Sequence, residues 1–224
     1  MSKLVWDQIG EHLFETGVDQ VALFPFVKDT SSYSKGVAWN GITGVTKSPS
    51  GAEPTALWAD NIKYLNLYSA EELGGTITAY TCPQEWFDLN GTPEVAPGVR
   101  IGQQSRGSFG LVYRTKVGND TEGKDYGYKY HLIYGAQASP SEEAASTEND
   151  SPEATEFSWE FSTTPVPVTD YKPTSILEFD TINTDSDKLE TLLDIIYGTE
   201  NADARLPMPN EVIKIMGGTT PVNP

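Results

Sequence analysis

Three segments in the middle of the chain alternate between apolar and polar residues with a period of two, the pattern of a half-buried β-strand. In each segment every second residue is aromatic, aliphatic, or threonine. These residues are Phe109, Leu111, Tyr113, Thr115 and Val117; Tyr126, Tyr128, Tyr130, Leu132 and Tyr134; and Phe157, Trp159, Phe161 and Thr163. The opposite faces are mostly small or polar. The pattern predicts three strands and a mainly β protein.

Shorter apolar segments bounded by turn residues predict further strands at residues 18–27, 37–46 and 76–82, and around Leu177 and Phe179. Residues 57–67 are apolar on both faces and change phase near Asp60, so we predict a buried or bulged strand there. Residues 206–224 suggest a final short strand and a loose end.

One helix is predicted near the C-terminal end, at about residues 185–197. Apolar residues recur in this segment at helical spacing, at Leu189, Leu192, Leu193 and Ile196. Residues 83–89 are a second, shorter helix candidate. Thr184 is the candidate N-cap, and Gly198 offers a C-terminal stop.

The chain carries 32 acidic and 15 basic residues, a formal net charge of −17. Such a surface argues against binding nucleic acid or an anionic membrane, because both are bound through Lys and Arg patches. Cys82 is the single cysteine, no signal peptide is recognisable, and no window approaches about 20 apolar residues. We therefore expect a protein folded in a reducing cytoplasm.

The conventional candidates for acid–base or nucleophilic chemistry are His12, His131 and Cys82. None lies in a catalytic motif, and the acidic residues around the predicted helix lack the glycine and terminal glutamate of a calcium loop. Residues 118–124 have the wrong glycine spacing for a phosphate loop, and a tight turn explains them better. We expect no catalytic residue, no cofactor and no metal site.

Two aromatic features have alternative interpretations. Four tryptophans could form a sugar-stacking platform, although aromatic residues on alternating strands usually form the core; they are Trp39, Trp58, Trp86 and Trp159. The tyrosines from Tyr126 to Tyr134 could pack within the subunit or between subunits, where tyrosine is enriched. The sequence leaves the tyrosine question open.

Residues 138–154 form an acidic segment without a basic residue, between two strongly aromatic strands. Loops longer than about 12–15 residues tend to be functional or disordered, so this loop is either an assembly contact or a solvated connection. We favour an assembly contact with a neighbouring subunit. The candidate contact residues are Ser141, Glu142, Glu143, Glu148, Asn149 and Asp150.

A series of longer motifs carries a family resemblance. They occur in order at residues 14–19 (FETGVD), 36–41 (GVAWNG), 48–55 (SPSGAEPT), 59–64 (ADNIKY), 79–83 (AYTCP), 102–106 (GQQSR), 118–130 (GNDTEGKDYGYKY), 138–142 (ASPSE), 149–154 (NDSPEA) and 162–166 (STTPV). Together they resemble the major tail proteins of long-tailed, non-contractile bacteriophages of Gram-positive hosts. Beyond Phe179 no family motif is recognisable.

The resemblance implies a β-sandwich or half-barrel with one flanking helix, a long loop and terminal arms. It divides the chain into an arm at 1–17, a tail tube domain at 18–216 and a tail at 217–224. Subunits of the family form six-fold rings that stack into a tube, assembled in the host cytoplasm and retained in the virion tail. The implied partners are further copies, the tape-measure protein and the tail-tip and terminator proteins, while DNA passes through without tight binding and no membrane is involved.

Within the motif at 118–130, the candidate turn residues are Asn119, Asp120, Thr121, Glu122 and Gly123. The alternative function is a carbohydrate- or receptor-binding β-sandwich of the tail tip.

Overall fold

The computed structural model describes residues 3–147, 150 and 153–218, and in this part the protein is mainly β. The strands are β1 Phe14–Val27, β2 Ser32–Tyr33, β3 Val37–Ala38, β4 Ile42–Gly51, β5 Pro54–Ala59, β6 Ile62–Tyr68, β7 Glu71–Ala79, β8 Glu94–Ala96, β9 Val99–Arg100, β10 Ser108–Asn119, β11 Gly123–Ala138, β12 Phe157–Thr163, β13 Val166–Val168, β14 Tyr171–Thr174 and β15 Ile176–Asp180. The helices are α1 Gln84–Leu89, α2 Ser186–Tyr197 and α3 Pro209–Ile215.

The main sheet is antiparallel and follows the order β2-β1-β10-β11-β12-β7-β4, with β3 on β1 and β15 on β11. Strand β11 is long enough to pair with two different strands along the same edge. Its residues Lys129–Ile133 pair with β15, and its last residues, Ala136–Ala138, pair with β12. The sheet therefore divides at β11. Three pairs, β5–β6, β8–β9 and β13–β14, form separate two-stranded hairpins.

The first core lies between the two parts of the main sheet. Strands β1, β10 and β11 contribute one side and β7 and β12 the other, and Trp86 of α1 is buried among them. Its aromatic centre consists of Trp39, Trp86 and Trp159, whose ring centroids are 4.7–5.6 Å apart. The alternating face of Phe109, Leu111 and Tyr113 points into this core, as the sequence pattern predicts.

The second core lies on the other face of β1, β10 and β11, beneath α2 and α3. Tyr130, Leu132 and Tyr134 pack there against Leu192 and Ile196 of α2. The tyrosine face thus packs within the subunit from Tyr128 to Tyr134, whereas Tyr126 belongs to neither core. The prediction that the opposite faces are mostly small or polar is wrong in the middle of β10 and β11, because Val112 and Ile133 are also buried, one in each core.

Several predicted elements need correction. Residues 57–67 form the β5–β6 hairpin rather than one buried strand, because Asp60 and Asn61 both have positive φ, as a two-residue hairpin turn requires. The strand predicted at 37–46 is interrupted before β4, where Gly41 has φ 78°. Strand β1 begins at Phe14, inside the predicted arm at 1–17.

The helical predictions are confirmed in part. Helix α2 lies where the spacing places it and ends at Gly198, but its N-cap is Asp185 and not Thr184. The candidate helix at 83–89 is α1. No strand forms in residues 206–218, where Pro209 lies in the first turn of α3, so the described part of the chain has three helices instead of one flanking helix. Residues 219–224, the rest of the segment predicted to hold a short strand and a loose end, lie outside the described residues. None of these helices combines the length and apolar character needed to cross a membrane.

Candidate assembly surfaces

The predicted turn residues 119–123 connect β10 to β11. The side chain of Asn119 is buried, and its Oδ1 accepts hydrogen bonds from the backbone of Thr121 and Glu122 at 3.2 and 2.6 Å. Gly123 completes the turn with φ 64°. The predicted tight turn is confirmed.

The same turn holds residues 3–13, which we call the N-terminal segment. The carboxylate of Asp120 accepts hydrogen bonds from the backbone N–H of Gly10 at 3.0 Å and of His12 at 3.4 Å. Nδ1 of His12 lies 3.0 Å from the second carboxylate oxygen, and Nδ2 of Asn119 donates to the Gly10 carbonyl at 3.3 Å. Two adjacent turn residues therefore fix a segment more than 100 positions away in the sequence.

The charges of His12 and Asp120 support each other. The hydrogen bond to Asp120 raises the pKa of the His12 imidazole above its ordinary value. The hydrogen bonds from His12 and from the Gly10 N–H lower the pKa of Asp120 to about 2. Both groups are solvent-exposed, so the strength of their interaction depends on pH and on salt concentration.

Beyond this contact the N-terminal segment displays large apolar side chains to solvent. They are Leu4, Val5, Trp6, Ile9 and Leu13, with exposed fractions from 58% to 85%. The next residue, Phe14, packs on Gly118, where an added Cβ would lie 2.4 Å from the Phe14 ring. The segment is anchored at its end and at Gly10–His12, while nothing in the described part of the subunit covers its apolar side chains.

The acidic segment at residues 138–154, which we call the acidic loop, begins at the end of β11 that lies opposite the turn. Its start is fixed to β12, because the Ser139 N–H donates to the Glu160 carbonyl and the Glu160 N–H donates to Ser141 Oγ, both at 2.8 Å. Glu142, Glu143 and Asp150 are exposed. Glu148 and Asn149 lie outside the described residues. The two groups of candidate contact residues are therefore not brought together.

Among the described residues, the largest group of exposed apolar side chains lies on a surface that the sequence pattern does not predict. It is the β5–β6 pair, residues 54–68, which we call the apolar hairpin. Leu57 lies opposite Leu65, and Thr55 opposite Leu67, so one face is nearly all leucine. Its other large exposed side chains are Trp58, Ile62, Tyr64 and Tyr68, each at least 64% exposed. The available signal was the Asp60–Asn61 pair between two apolar runs.

A second hairpin, β8–β9, also exposes aliphatic side chains, at Val95, Val99 and Ile101. It is attached to α1 through Arg100, whose guanidinium lies 3.6 Å from the centroid of the Phe87 ring and donates to Gln84 Oε1 at 2.9 Å. This surface is smaller than the apolar hairpin.

The three conventional catalytic candidates lie in separate places. His12 is on the N-terminal segment, and Cys82 precedes α1, where burial raises the pKa of its thiol. His131 is buried against the ring of Tyr113, with the two ring planes 11° apart. Among the described residues no group of three or more His, Cys, Asp or Glu side chains could hold a metal ion.

His131 belongs to a polar cluster that joins five strands, which we call the His131 cluster. It consists of Glu15, Lys47, Thr115, Lys129, His131 and Glu178. Nδ1 of His131 lies 2.8 Å from Glu178, and Nε2 lies 3.0 Å from Thr115 Oγ1 and 3.2 Å from Glu15. Lys47 of β4 also contacts Glu178, which ties the two parts of the sheet together.

No family model and no curated protein matches this chain. Two apolar surfaces, the N-terminal segment and the apolar hairpin, are held in place by polar contacts and turns but are not covered by any described residue. Burial of one large apolar side chain contributes about 1.5–3 kcal/mol, so both surfaces favour association.

The possible sugar platform of four tryptophans is not formed. Trp39, Trp86 and Trp159 are at most 3% exposed, because they fill the first core, whereas Trp58 is 68% exposed on the apolar hairpin. The single exposed member of the set belongs to a surface of aliphatic and tyrosine side chains.

Proposed function

We propose that the protein is a structural virion protein, the subunit of a phage tail tube. In this proposal copies of the chain associate into rings, six-fold in the family that the chain resembles, and the rings stack into a tube through which DNA is ejected. The subunit is assembled in the host cytoplasm and remains in the virion tail. It carries out no catalysis and needs no cofactor.

The apolar hairpin is the observation that carries this proposal. An isolated two-stranded hairpin is marginally stable in water, and three or more strands or a packing partner are needed to stabilise it. Here the hairpin has apolar side chains on both faces, including Leu57, Leu65 and Trp58. Such a surface is expected to be buried in the working state of the protein, and further copies of the same chain supply a cover in every ring.

The charge of the chain fits a conduit better than a DNA-binding protein. Each copy adds a formal charge of −17, so an assembly of many copies repels a polyanion. At physiological ionic strength this repulsion extends about 8 Å, which is enough to discourage DNA from adhering to the wall of a narrow channel. DNA would therefore pass without tight binding. The tape-measure protein and the tail-tip and terminator proteins are the other partners of the proposal.

Negative-stain electron microscopy of the purified protein, concentrated and aged, tests the proposal. Stacked rings or hollow tubes are expected. A double variant, Trp58→Ser with Ile62→Ser, should remain folded, since both side chains are exposed, and should form far fewer tubes. Tyr171→Ser on β14 is the control, because it also replaces an exposed apolar residue but lies outside the hairpin. Persistent monomers of the unaltered chain, even with isolated tail tips added, would contradict the proposal.

The alternative, a carbohydrate- or receptor-binding protein of the tail tip, draws on the exposed aromatic residues Trp58, Tyr64 and Tyr68. A glycan-binding assay with the unaltered chain and Trp58→Ala distinguishes the two. Glycan binding that Trp58→Ala abolishes, in a protein that forms no tubes, would favour this alternative.

A further inference from the structure

The turn at residues 119–123 does more than connect two strands. Asn119 uses its Oδ1 within the turn and its Nδ2 on the Gly10 carbonyl, so the same buried side chain shapes the turn and holds the N-terminal segment. Asp120 adds the Gly10 N–H, the His12 N–H and the His12 imidazole. The contacts from the turn to the N-terminal segment thus all involve Gly10 or His12.

We infer that the turn at Asn119 and Asp120 is a clamp for the N-terminal segment, and that its strength depends on the charge of the His12 imidazole. The clamp fixes the direction in which the apolar side chains from Leu4 to Ile9 are displayed. A weaker clamp lets this part of the segment move away from the end of β10 and β11, with Phe14 on Gly118 as the remaining attachment.

Among the residues that the structure describes, the charged groups that face His12 are Asp120, Asp7 and Glu11, all of them acidic. Asp120 approaches Nδ1 from the turn, Asp7 lies 3.6 Å from Nε2 on the segment itself, and Glu11 adds a further negative charge nearby. A protonated imidazole can donate to Asp120 and at the same time attract the Asp7 carboxylate, whereas a neutral imidazole carries one N–H and no charge. The protonated form is therefore the one that closes the clamp.

The sign of the pH dependence follows from the direction of the shift. The pKa of His12 is raised in the folded protein by its hydrogen bond to Asp120. Its contribution is complete below the ordinary histidine pKa of about 6.5 and is lost as the pH rises through the raised value. The carboxylate of Asp120, with a pKa near 2, stays charged throughout this range. The clamp should be tighter at pH 5.5 than at pH 8.5.

Amide hydrogen exchange on the unassembled subunit measures the clamp directly. The protection factors of the Gly10 and His12 amides, corrected for intrinsic exchange, should fall about two- to five-fold between pH 5.5 and pH 8.5, as expected for an exposed ion pair. Amides in the middle of β10, such as that of Leu111, serve as the internal reference. Asp120→Ala should remove the protection at both pH values, and His12→Gln should leave protection that no longer varies with pH.

Glu122→Gln is the matched control, because it removes one negative charge from the same turn without changing a side chain of the clamp. It should behave like the unaltered chain. Equal Gly10 and His12 protection in the unaltered chain and in Asp120→Ala would overturn the clamp, and pH-independent protection in the unaltered chain would overturn the role of His12.

Any effect of the clamp on assembly rests on the proposed function, but the exchange experiment does not. If the chain forms tubes, Asp120→Ala should change the rate at which they appear. A chain that forms no tubes but shows the expected exchange behaviour would contradict the tube proposal and leave the clamp intact. The two ideas can therefore fail separately.

Discussion

The guanidinium of Arg114 donates two hydrogen bonds to the carboxylate of Asp19, from Nε at 2.7 Å and from Nη2 at 2.8 Å. Strand β1 shifts its register against β10 on both sides of Asp19. The guanidinium also lies over the ring of Tyr128, 4.0 Å from its centroid. A bidentate pair of this kind fixes the geometry of the irregular part of β1.

Replacing Asp19 by Asn should destabilise the protein moderately. The hydrogen bond from Arg114 lowers the pKa of Asp19, which shows that the charged carboxylate is the favoured partner. Because the Arg114 side chain is mostly buried and Asp19 is 38% exposed, we expect a loss of about 1–2 kcal/mol in the free energy of unfolding. Urea unfolding measures it. Asp60→Asn, in the exposed turn of the apolar hairpin, is the control and should change the free energy little; equal values for both variants would contradict the prediction.

The His131 cluster should make the protein less stable in acid, in two stages. Burial lowers the pKa of His131, so below about pH 6.5 the unfolded chain takes up a proton that the folded chain excludes. Burial alone would raise the pKa of Glu178, but hydrogen bonds from Lys47, His131 and Lys129 outweigh it and bring the pKa to about 2. Glu178 therefore contributes stability above its ordinary pKa of 4.5, and this contribution is lost as the pH falls toward 2.

Unfolding free energies measured between pH 7.5 and pH 3 test this dependence. In His131→Gln the decline between pH 7 and pH 5 should flatten, because the titrating group is gone, while the decline below pH 4.5 remains. His12→Gln is the matched control, since His12 is the other histidine of the chain and its raised pKa acts in the opposite direction. An unchanged slope in His131→Gln would show that other groups cause the acid sensitivity.

Period-two patterning predicted β10, β11 and β12, the middle strands of the main sheet, because one face of each is nearly continuous in apolar residues, as from Phe109 to Tyr113 and from Phe157 to Phe161. At residues 57–67 the apolar residues on both faces predict a buried strand, but the structure has the exposed β5–β6 hairpin there. The same pattern occurs in a hairpin whose faces are uncovered, and the two cannot be distinguished without knowing what packs there. The clamp was also beyond prediction from sequence, because it joins Gly10 to Asp120 by contacts that no local pattern records.

The N-cap of α2 in the structure is one residue later than the sequence predicts. The pattern favours Thr184, but the carboxylate of Asp185 accepts from the backbone N–H groups of Asp187 and Lys188. Asp185→Ala should therefore cost about 1 kcal/mol of stability, and Thr184→Ala much less. Denaturant unfolding of the two variants decides it, and a larger loss in Thr184→Ala would show that the cap lies one residue earlier.

Gly118 should not tolerate a side chain. An added Cβ would lie 2.2 Å from the Gly123 carbonyl oxygen and 2.4 Å from the Phe14 ring, so the turn or the ring must move. We expect Gly118→Ala to cost about 1–3 kcal/mol, as overpacking usually does, and to lower amide protection around Phe14. Gly102→Ala is the control, because a Cβ there has nothing within 4 Å. Thermal unfolding of both variants provides the test. Equal shifts of the unfolding temperature in the two variants would contradict the prediction.

Deleting residues 142–150 should separate folding from assembly. The hydrogen bond between Ser141 and Glu160 remains. The deletion halves the length of the connection between β11 and β12, which changes the free-energy cost of closing this loop by only about 0.6 kcal/mol. The variant should keep the circular dichroism spectrum and urea midpoint of the full chain. If the acidic loop is a contact between subunits or rings, the variant should form no tubes under conditions in which the full chain does.

A second variant distinguishes the effect of the loop's length on assembly from the effect of its sequence. Replacing residues 142–150 by nine alternating glycine and serine residues keeps the length of the connection but removes its acidic side chains. Failure of both variants to form tubes would assign the contact to the side chains of the loop, whereas rescue by the glycine–serine sequence would assign to the loop a spacer role. Tubes of normal length from the deletion itself would leave the loop as a solvated connection and place the contacts on the apolar hairpin and the N-terminal segment.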